Sequence, residues 1–312
     1  MGWRNSVLEC KKVVFMRSYS LIVFAAALCF FSGCVSISGS HFTVEQDGST
    51  CSINADCLCE NSKLPESYLV AVTQENGLDP EQITLLNWNS HKETGPQWLQ
   101  ELQALLNGVD LLALQEGALT DELRDLLSND YAGGWTLANA FTQSDIHTGV
   151  LTASLVKPDF LCSYRVAEPI IVVPKTVLIT RYPIVGTNKT LLLVNMHMVN
   201  FSFATTAYRE QLKNAFFLIN QHQGPLLIAG DFNSWSDGRM AIIQHFADGL
   251  ATEAVQFAED NRTTFLGHVL DHIFYRGLEP VEAAALPVTI SDHNPMRVTF
   301  RLVGDRFART GE

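Results

Sequence analysis

Four short, mostly apolar runs of strand length each hand over within three residues to a polar side chain. Ile83–Leu86 lead to Asn87 and Asn89, Leu111–Leu114 to Gln115 and Glu116, Leu191–Val194 to Asn195 and His197, and Leu226–Ala229 to Asp231 and Asn233. Runs this short and this apolar read as buried strands, and further strand-like segments follow at GVLTASL, TVLITRY, LDHIFYR and MRVTFRL. Between them lie two helical patterns. PQWLQELQALL places Trp98, Leu102 and Leu105 on one face, and AYREQLKNAFFLINQ does the same with Leu212, Phe216 and Ile219, while Tyr208 and Arg209 read as a solvated first turn. The sum predicts one α/β domain over residues 81–303.

Taken alone, Asp231 and Asn233 read as a turn, because Asp and Asn commonly bond to the backbone just after a strand. Four such exits in one domain predict something more: strand ends that converge on a polar site. Residues two apart on a strand share a face, so Asn195 with His197, and Asp231 with Asn233 if the chain stays extended, would look at a common centre. Asp271 opens a further strand, and Asp292 and His293 precede the last one, with Pro295 keeping that turn out of helix.

Composition bounds the class. With 47% hydrophobic and 17% charged residues the chain is able to bury a sizeable core. The apolar run of residues 21–33, preceded by Lys11, Lys12 and Arg17 and closed by Ser32-Gly33-Cys34, reads as a secretory signal too short for a confident span. Its ending resembles a bacterial lipoprotein signal, which predicts acylation at Cys34 and a lipid-anchored protein of the cell envelope facing the periplasm, with Met16 as an alternative start. An uncleaved inner-membrane anchor is the other reading. Residues 34–80 read as a tether, over 35 to about 65, and a cysteine-bearing N-terminal extension. Cys51, Cys57, Cys59 and Cys162 suit disulfides in an exported protein better than zinc, for which a second close ligand pair is lacking.

Removing residues 1–33 takes four of the 21 basic residues and one of the 33 acidic ones, leaving 17 and 32 and a formal charge of −15. So acidic a surface disfavours, without forbidding, nucleic acid as the partner. A monomer is expected.

The ordered motifs NWN, LQE, NMH, GDFN, LDHIFY and SDHNP resemble the endonuclease/exonuclease/phosphatase superfamily, and VNMHMVNF, GDFNSWS and LDHIFYRG resemble its bacterial YafD-like branch. The resemblance implies a four-layered α/β sandwich of two mixed sheets packed face to face with helices outside. It implies a metal-dependent phosphoric ester hydrolase, with Glu116 and Asn89 at a Mg²⁺ or Mn²⁺ ion. It also implies that Asp231 activates water, Asn233 and His197 hold phosphate oxygens, Asp271 orients His293 against the phosphate, and Asp292 is the remaining acid. His91 and Lys92 stand where some relatives carry an extra acidic metal ligand. This inventory suits the chemistry, since cleaving a phosphate ester needs its oxygens neutralised, a water activated and the leaving oxygen assisted. A phosphodiesterase is the leading expectation, with a nuclease or a silent binding module on the same fold as alternatives.

Overall fold

The computed structural model describes residues 35–37, 42–46, 49–53, 76–92, 95–171, 173–202 and 205–304. Residues 1–34, where the signal and Cys34 are expected, lie outside the described residues, as do Cys57, Cys59 and residues 305–312. In chain order the strands are β1 (Val35–Ser36), β2 (Phe42–Gln46), β3 (Ser49–Ile53), β4 (Ile83–Asn89), β5 (Leu111–Ala118), β6 (Trp135–Gln143), β7 (Ile146–Ser154), β8 (Phe160–Ala167), β9 (Pro174–Pro183), β10 (Thr190–His197), β11 (Leu226–Asp231), β12 (Glu253–Ala254), β13 (Thr264–Phe265), β14 (His268–Val269), β15 (Asp271–Arg276), β16 (Leu278–Ala285) and β17 (Met296–Leu302). The helices are α1 (Pro96–Leu105), α2 (Asp121–Asp130), α3 (Thr206–Ile219) and α4 (Asp237–Gly249).

Two mixed sheets form. One runs β16-β17-β4-β5-β7-β6-β2-β3, with β1 beside β6, and the other β12-β15-β11-β10-β9-β8. Parallel pairing is confined to the middle of each, β4 with β5 and β10 with β11. These are the strands whose sequences are continuously apolar, because both of their faces are covered. Leu111 and Ala113 point into the core between the sheets with Leu85, Leu193, Leu227, Ala229 and Met296. Leu112 and Leu114 point outward to Trp98 and Leu102 of α1 and Leu123 and Leu127 of α2. On the far side α3 and α4 cover Val194, Met196 and Ile228. The result is a four-layered α/β sandwich. At about 1.5–3 kcal/mol for each buried large apolar side chain, these layers supply the main stabilisation.

Thr120 and Ser236 cap α2 and α4 through their side-chain oxygens. In α3 the buried stripe is Tyr208, Gln211, Leu212, Ala215 and Ile219. Tyr208 is thus no solvated first-turn residue: its hydroxyl donates to Phe232 O at 2.7 Å, tying the helix to the end of β11.

The tether expected over 34–80 is corrected in part. Phe42–Gln46 pairs with β6 and with Ser49–Ile53, extending the larger sheet, because Phe42 and Val44 alternate with polar residues and bury against Leu161. Cys162 is disulfide-bonded. Among the described residues no helix is long and apolar enough to cross a membrane.

Candidate active site

Strand register aligns three of the candidate residues. His197 at the end of β10 is the parallel partner of Asp231 at the end of β11, and Asp231 is the antiparallel partner of Asp271 at the start of β15. Gly230 permits the close strand approach, since a Cβ there would lie 1.9 Å from Met196 O. All three side chains are buried.

Beyond Asp231 the chain does not stay extended. Asn233 has φ +47°, and Asp231 Oδ1 accepts the Asn233 N–H at 2.8 Å, an Asx turn. Its Nδ2 donates to Met198 O at 3.0 Å and to Asp231 Oδ2 at 3.2 Å. The turn reading and the site reading therefore hold together, and the turn, rather than strand alternation, brings Asn233 beside Asp231. Asn89 Nδ2 also donates to Asp231 Oδ2, at 3.0 Å.

His293 arrives from the other sheet. Its Nδ1 lies 2.7 Å from Asp271 Oδ2 and its Nε2 3.9 Å from Asp231 Oδ2, while Trp88 Nε1 donates to His293 O at 2.8 Å. Burial lowers the basicity of this imidazole, but the carboxylates of Asp271, Asp231 and Asp292 outweigh it and raise His293 to about 10. Burial pushes the Asp271 carboxyl up to about 6 against the charge of His293. The shared proton lies on the imidazole at neutral pH.

Glu116 sits at a β-bulge. Pairing of β5 with β7 shifts between Leu114 and Gly117, and Glu116 takes φ +54°, which turns its carboxylate toward the strand ends. Two ammonium groups meet it. Lys92 bonds to Oε2, and Lys175 Nζ lies 3.4 Å from Oε1 and 2.8 Å from His197 Nε2. His197 Nε2 is in turn 3.4 Å from Asp231 Oδ2 and 3.8 Å from Glu116 Oε1. Burial would raise the Glu116 carboxyl, yet Lys175, Lys92 and His197 hold it well below the usual range. For Asp231 too burial is outweighed, by its contact with His197 and the charge of His293. Burial and the Lys175 charge lower His197, so it is neutral at pH 7.

Residues 84–293 match the Endonuclease/Exonuclease/phosphatase family. The chain belongs to this family. A UPF0294 protein of Vibrio vulnificus is 37% identical over 228 residues, 72% of this chain and 79% of its own. One from Yersinia enterocolitica is 38% identical over 221 residues, 71% and 84%. Among solved structures, the human Nocturnin catalytic domain matches with TM-score 0.53 at 18% identity, covering 72% of this chain and 96% of that one. D. rerio TDP2 complexed with single strand DNA product matches with TM-score 0.51 at 18% identity, over 70% and 99%. The two mixed sheets with their four helices are the fold of these neighbours.

Endonuclease/exonuclease/phosphatase membership implies a divalent ion, and the donor set fits one. Asp231, Asp271 and His293 each offer a ligand atom within 4.8 Å of the others, all buried, His293 only once it gives up its Nε2 proton. Asp271 Oδ1 is buried without a hydrogen-bond partner. Hard carboxylate oxygens of this kind suit Mg²⁺-like cations. At Glu116 an ion would have to take the place of Lys92. The side-chain oxygen of Asn89 accepts the His91 N–H at 3.0 Å.

Some polar strand ends belong to the scaffold of this family member instead. Gln115 Nε2 donates to Asn87 Oδ1 at 2.9 Å and to Asn195 Oδ1 at 2.6 Å, and Asn195 Nδ2 to Leu151 O at 2.8 Å, a buried amide network between the sheets. Asp292 stands at the rim: its Oδ1 lies 2.7 Å from His91 Nδ1, it is more than half exposed, and it reaches His293 only through its charge. His272 is structural, bonded to Ser234 Oγ at 2.9 Å and stacked on Phe274.

Two residues at the site carry no signal in the sequence. Lys175 is an isolated lysine after Pro174, and only the pairing of β9 with β10 brings it to His197. Arg239, buried in α4, donates to Val199 O, Asn233 O, Asn200 O and Ser202 O and lies 4.3 Å from the ring of Trp235 and 4.7 Å from that of Tyr208. One guanidinium thereby clamps the loops that leave β10 and β11.

Proposed function

We propose that this protein is a divalent-metal-dependent phosphodiesterase of the YafD-like branch, exported and held at the membrane by its N-terminal segment. The observation that carries the reading is the buried meeting of Asp231, His197, Asn233 and the Asp271–His293 pair beside the Glu116–Lys175 pair. An ionised carboxylate, a cationic imidazole and a lysine in one protected pocket suit the binding of an anion beside a water to be activated.

Asp231 is ionised at neutral pH and accepts a proton from the attacking water. His293, charged and oriented through Nδ1 by Asp271, presents Nε2 to a phosphate oxygen. Lys175 and the Asn233 amide stabilise the remaining oxygens, and neutral His197, whose Nε2 accepts from Lys175, holds that ammonium beside Asp231. Glu116, with Asn89 alongside, would hold a Mg²⁺ or Mn²⁺ ion in place of Lys92, and such an ion would neutralise phosphate charge and assist the leaving oxygen. Asp292 and His91 frame the entrance.

The test is hydrolysis of bis(p-nitrophenyl) phosphate, p-nitrophenyl phosphate and plasmid DNA by the purified chain with Mg²⁺ and with chelator. Chelator-sensitive release from the diester, faster than from the monoester, is expected. Plasmid cleavage outpacing the diester would move the substrate to nucleic acid, and no hydrolysis of any would leave a binding module.

A further inference from the structure

Ten large apolar residues are exposed among the described residues, and five of them stand on three loops at one end of the smaller sheet: Ile170 and Ile171, Phe201, and Phe265 with Leu266. Isolated exposed apolar residues are ordinary, but five on neighbouring loops are not. Each loop adjoins the site. Ile170 and Ile171 lie between β8 and β9, just before Lys175; Phe201 follows His197; Phe265 and Leu266 form the tip of the β13–β14 hairpin that ends immediately before Asp271.

The loops are also tied to one another. The buried Glu168 carboxylate accepts the N–H groups of Asn200 at 2.9 Å and Phe201 at 2.6 Å, joining the first loop to the second. Trp235 Nε1 donates to Asn200 Oδ1 at 2.9 Å, and Ser234 Oγ donates to Val269 O, joining the second loop to the hairpin. The apolar tips therefore ride on one hydrogen-bonded rim.

The hairpin tip is the most telling part. Leu266 and Gly267 have φ +51° and +82°, a turn that favours Asn-Gly or Gly-Gly, and Leu266 is 70% exposed. A mostly exposed leucine in the left-handed region is kept at a cost in the isolated fold, which points to a return from outside it. Three of the five residues are aliphatic and have no ring to stack on a base, and the one arginine near the hairpin, Arg262, is engaged with Asp260. Acyl chains suit such a surface and nucleic acid does not.

We propose that this rim dips into a lipid bilayer, which places the catalytic pocket at the head-group layer and makes membrane phosphodiesters its substrate class. The substrate half of this inference rests on the phosphodiesterase reading above; insertion of the rim does not.

The experiment places a tryptophan at the tip. Full-length Leu266→Trp is mixed with phosphatidylcholine vesicles brominated in their acyl chains, with Val281→Trp, 61% exposed on β16, as the comparison. Quenching of roughly half the added emission is expected for Leu266→Trp and little for Val281→Trp. Equal quenching of both, none of either, or a larger response of Leu266→Trp to a single-stranded oligonucleotide would overturn the proposal. Bis(p-nitrophenyl) phosphate is assayed on the same samples, so an inactive chain whose tip still inserts refutes the catalytic reading alone. An active one whose tip stays dry refutes the rim. Leu266→Asn with Phe265→Thr, which suits the turn and strand better, is expected to lower turnover of lipid in vesicles by roughly tenfold and leave the soluble diester unchanged.

Discussion

His293 Nδ1 and Asp271 Oδ2 lie 2.7 Å apart, joining the last loop of one sheet to the first residue of a strand in the other. The bond fixes which nitrogen of the ring faces Asp231 and holds its proton well into the alkaline range.

Asp271→Asn is therefore expected to act on the pH profile as well as the rate. The cationic form of His293 is lost as pH rises through about 10 in the parent. Without the carboxylate this limb moves down toward the ordinary imidazole value near 6.5. A pH–rate profile with an unmoved alkaline limb would refute the pairing. The rate itself is expected to fall by roughly 10²–10⁴-fold.

Asp231→Asn keeps an acceptor for the Asn233 N–H but removes the proposed base. Hydrolysis is expected to fall at least about 10³-fold while the urea midpoint changes little. Wild-type turnover in the purified variant would remove Asp231 from the mechanism.

On the proposed reading, Lys92 and a divalent ion compete for Glu116. Lys92→Met is expected to tighten Mn²⁺ binding and Glu116→Gln to weaken it, each by roughly tenfold after solvent screening. Calorimetric titration of metal into both variants decides this without recourse to turnover.

Asn195 joins the sheets through Gln115 and Leu151. Asn195→Leu strands a buried amide and a carbonyl, and the expected loss is about 2–4 kcal/mol, read from urea unfolding at constant slope.

His272 is expected to make folding acid-sensitive. Burial, then the charge of Arg262, lowers it to about 4 in the fold. Its contribution is complete above the unfolded value near 6.5 and is lost as pH falls through 4, because the unfolded chain binds the proton more readily. His272→Phe is expected to flatten stability between those limits, measured by thermal melts against pH.

Much of this architecture was legible in the chain. Continuous apolar runs at β4, β5, β10 and β11 marked strands covered on both faces, and their polar exits marked one end of the sandwich. The short β2–β3 pair was not, since five-residue segments in a polar context lack a period long enough to separate strand from linker. Nor were α2 and α4 anticipated, although Thr120 and Ser236 cap them.

Within the site the same division holds. Asp231, Asn233, His197 and His293 sit in local motifs, and local motifs are a property of the sequence. Resemblance of the LQE motif already singled out Glu116; tertiary structure supplied the cause, a bulge that turns Glu116 into the site and leaves Gln115 in the scaffold. It also chose Lys175 and Arg239 and moved Asp292 to the rim. The reason is physical: a strand's own residues dictate which faces are apolar, but which charge meets which depends on register between strands distant in the chain, and no one segment contains that information.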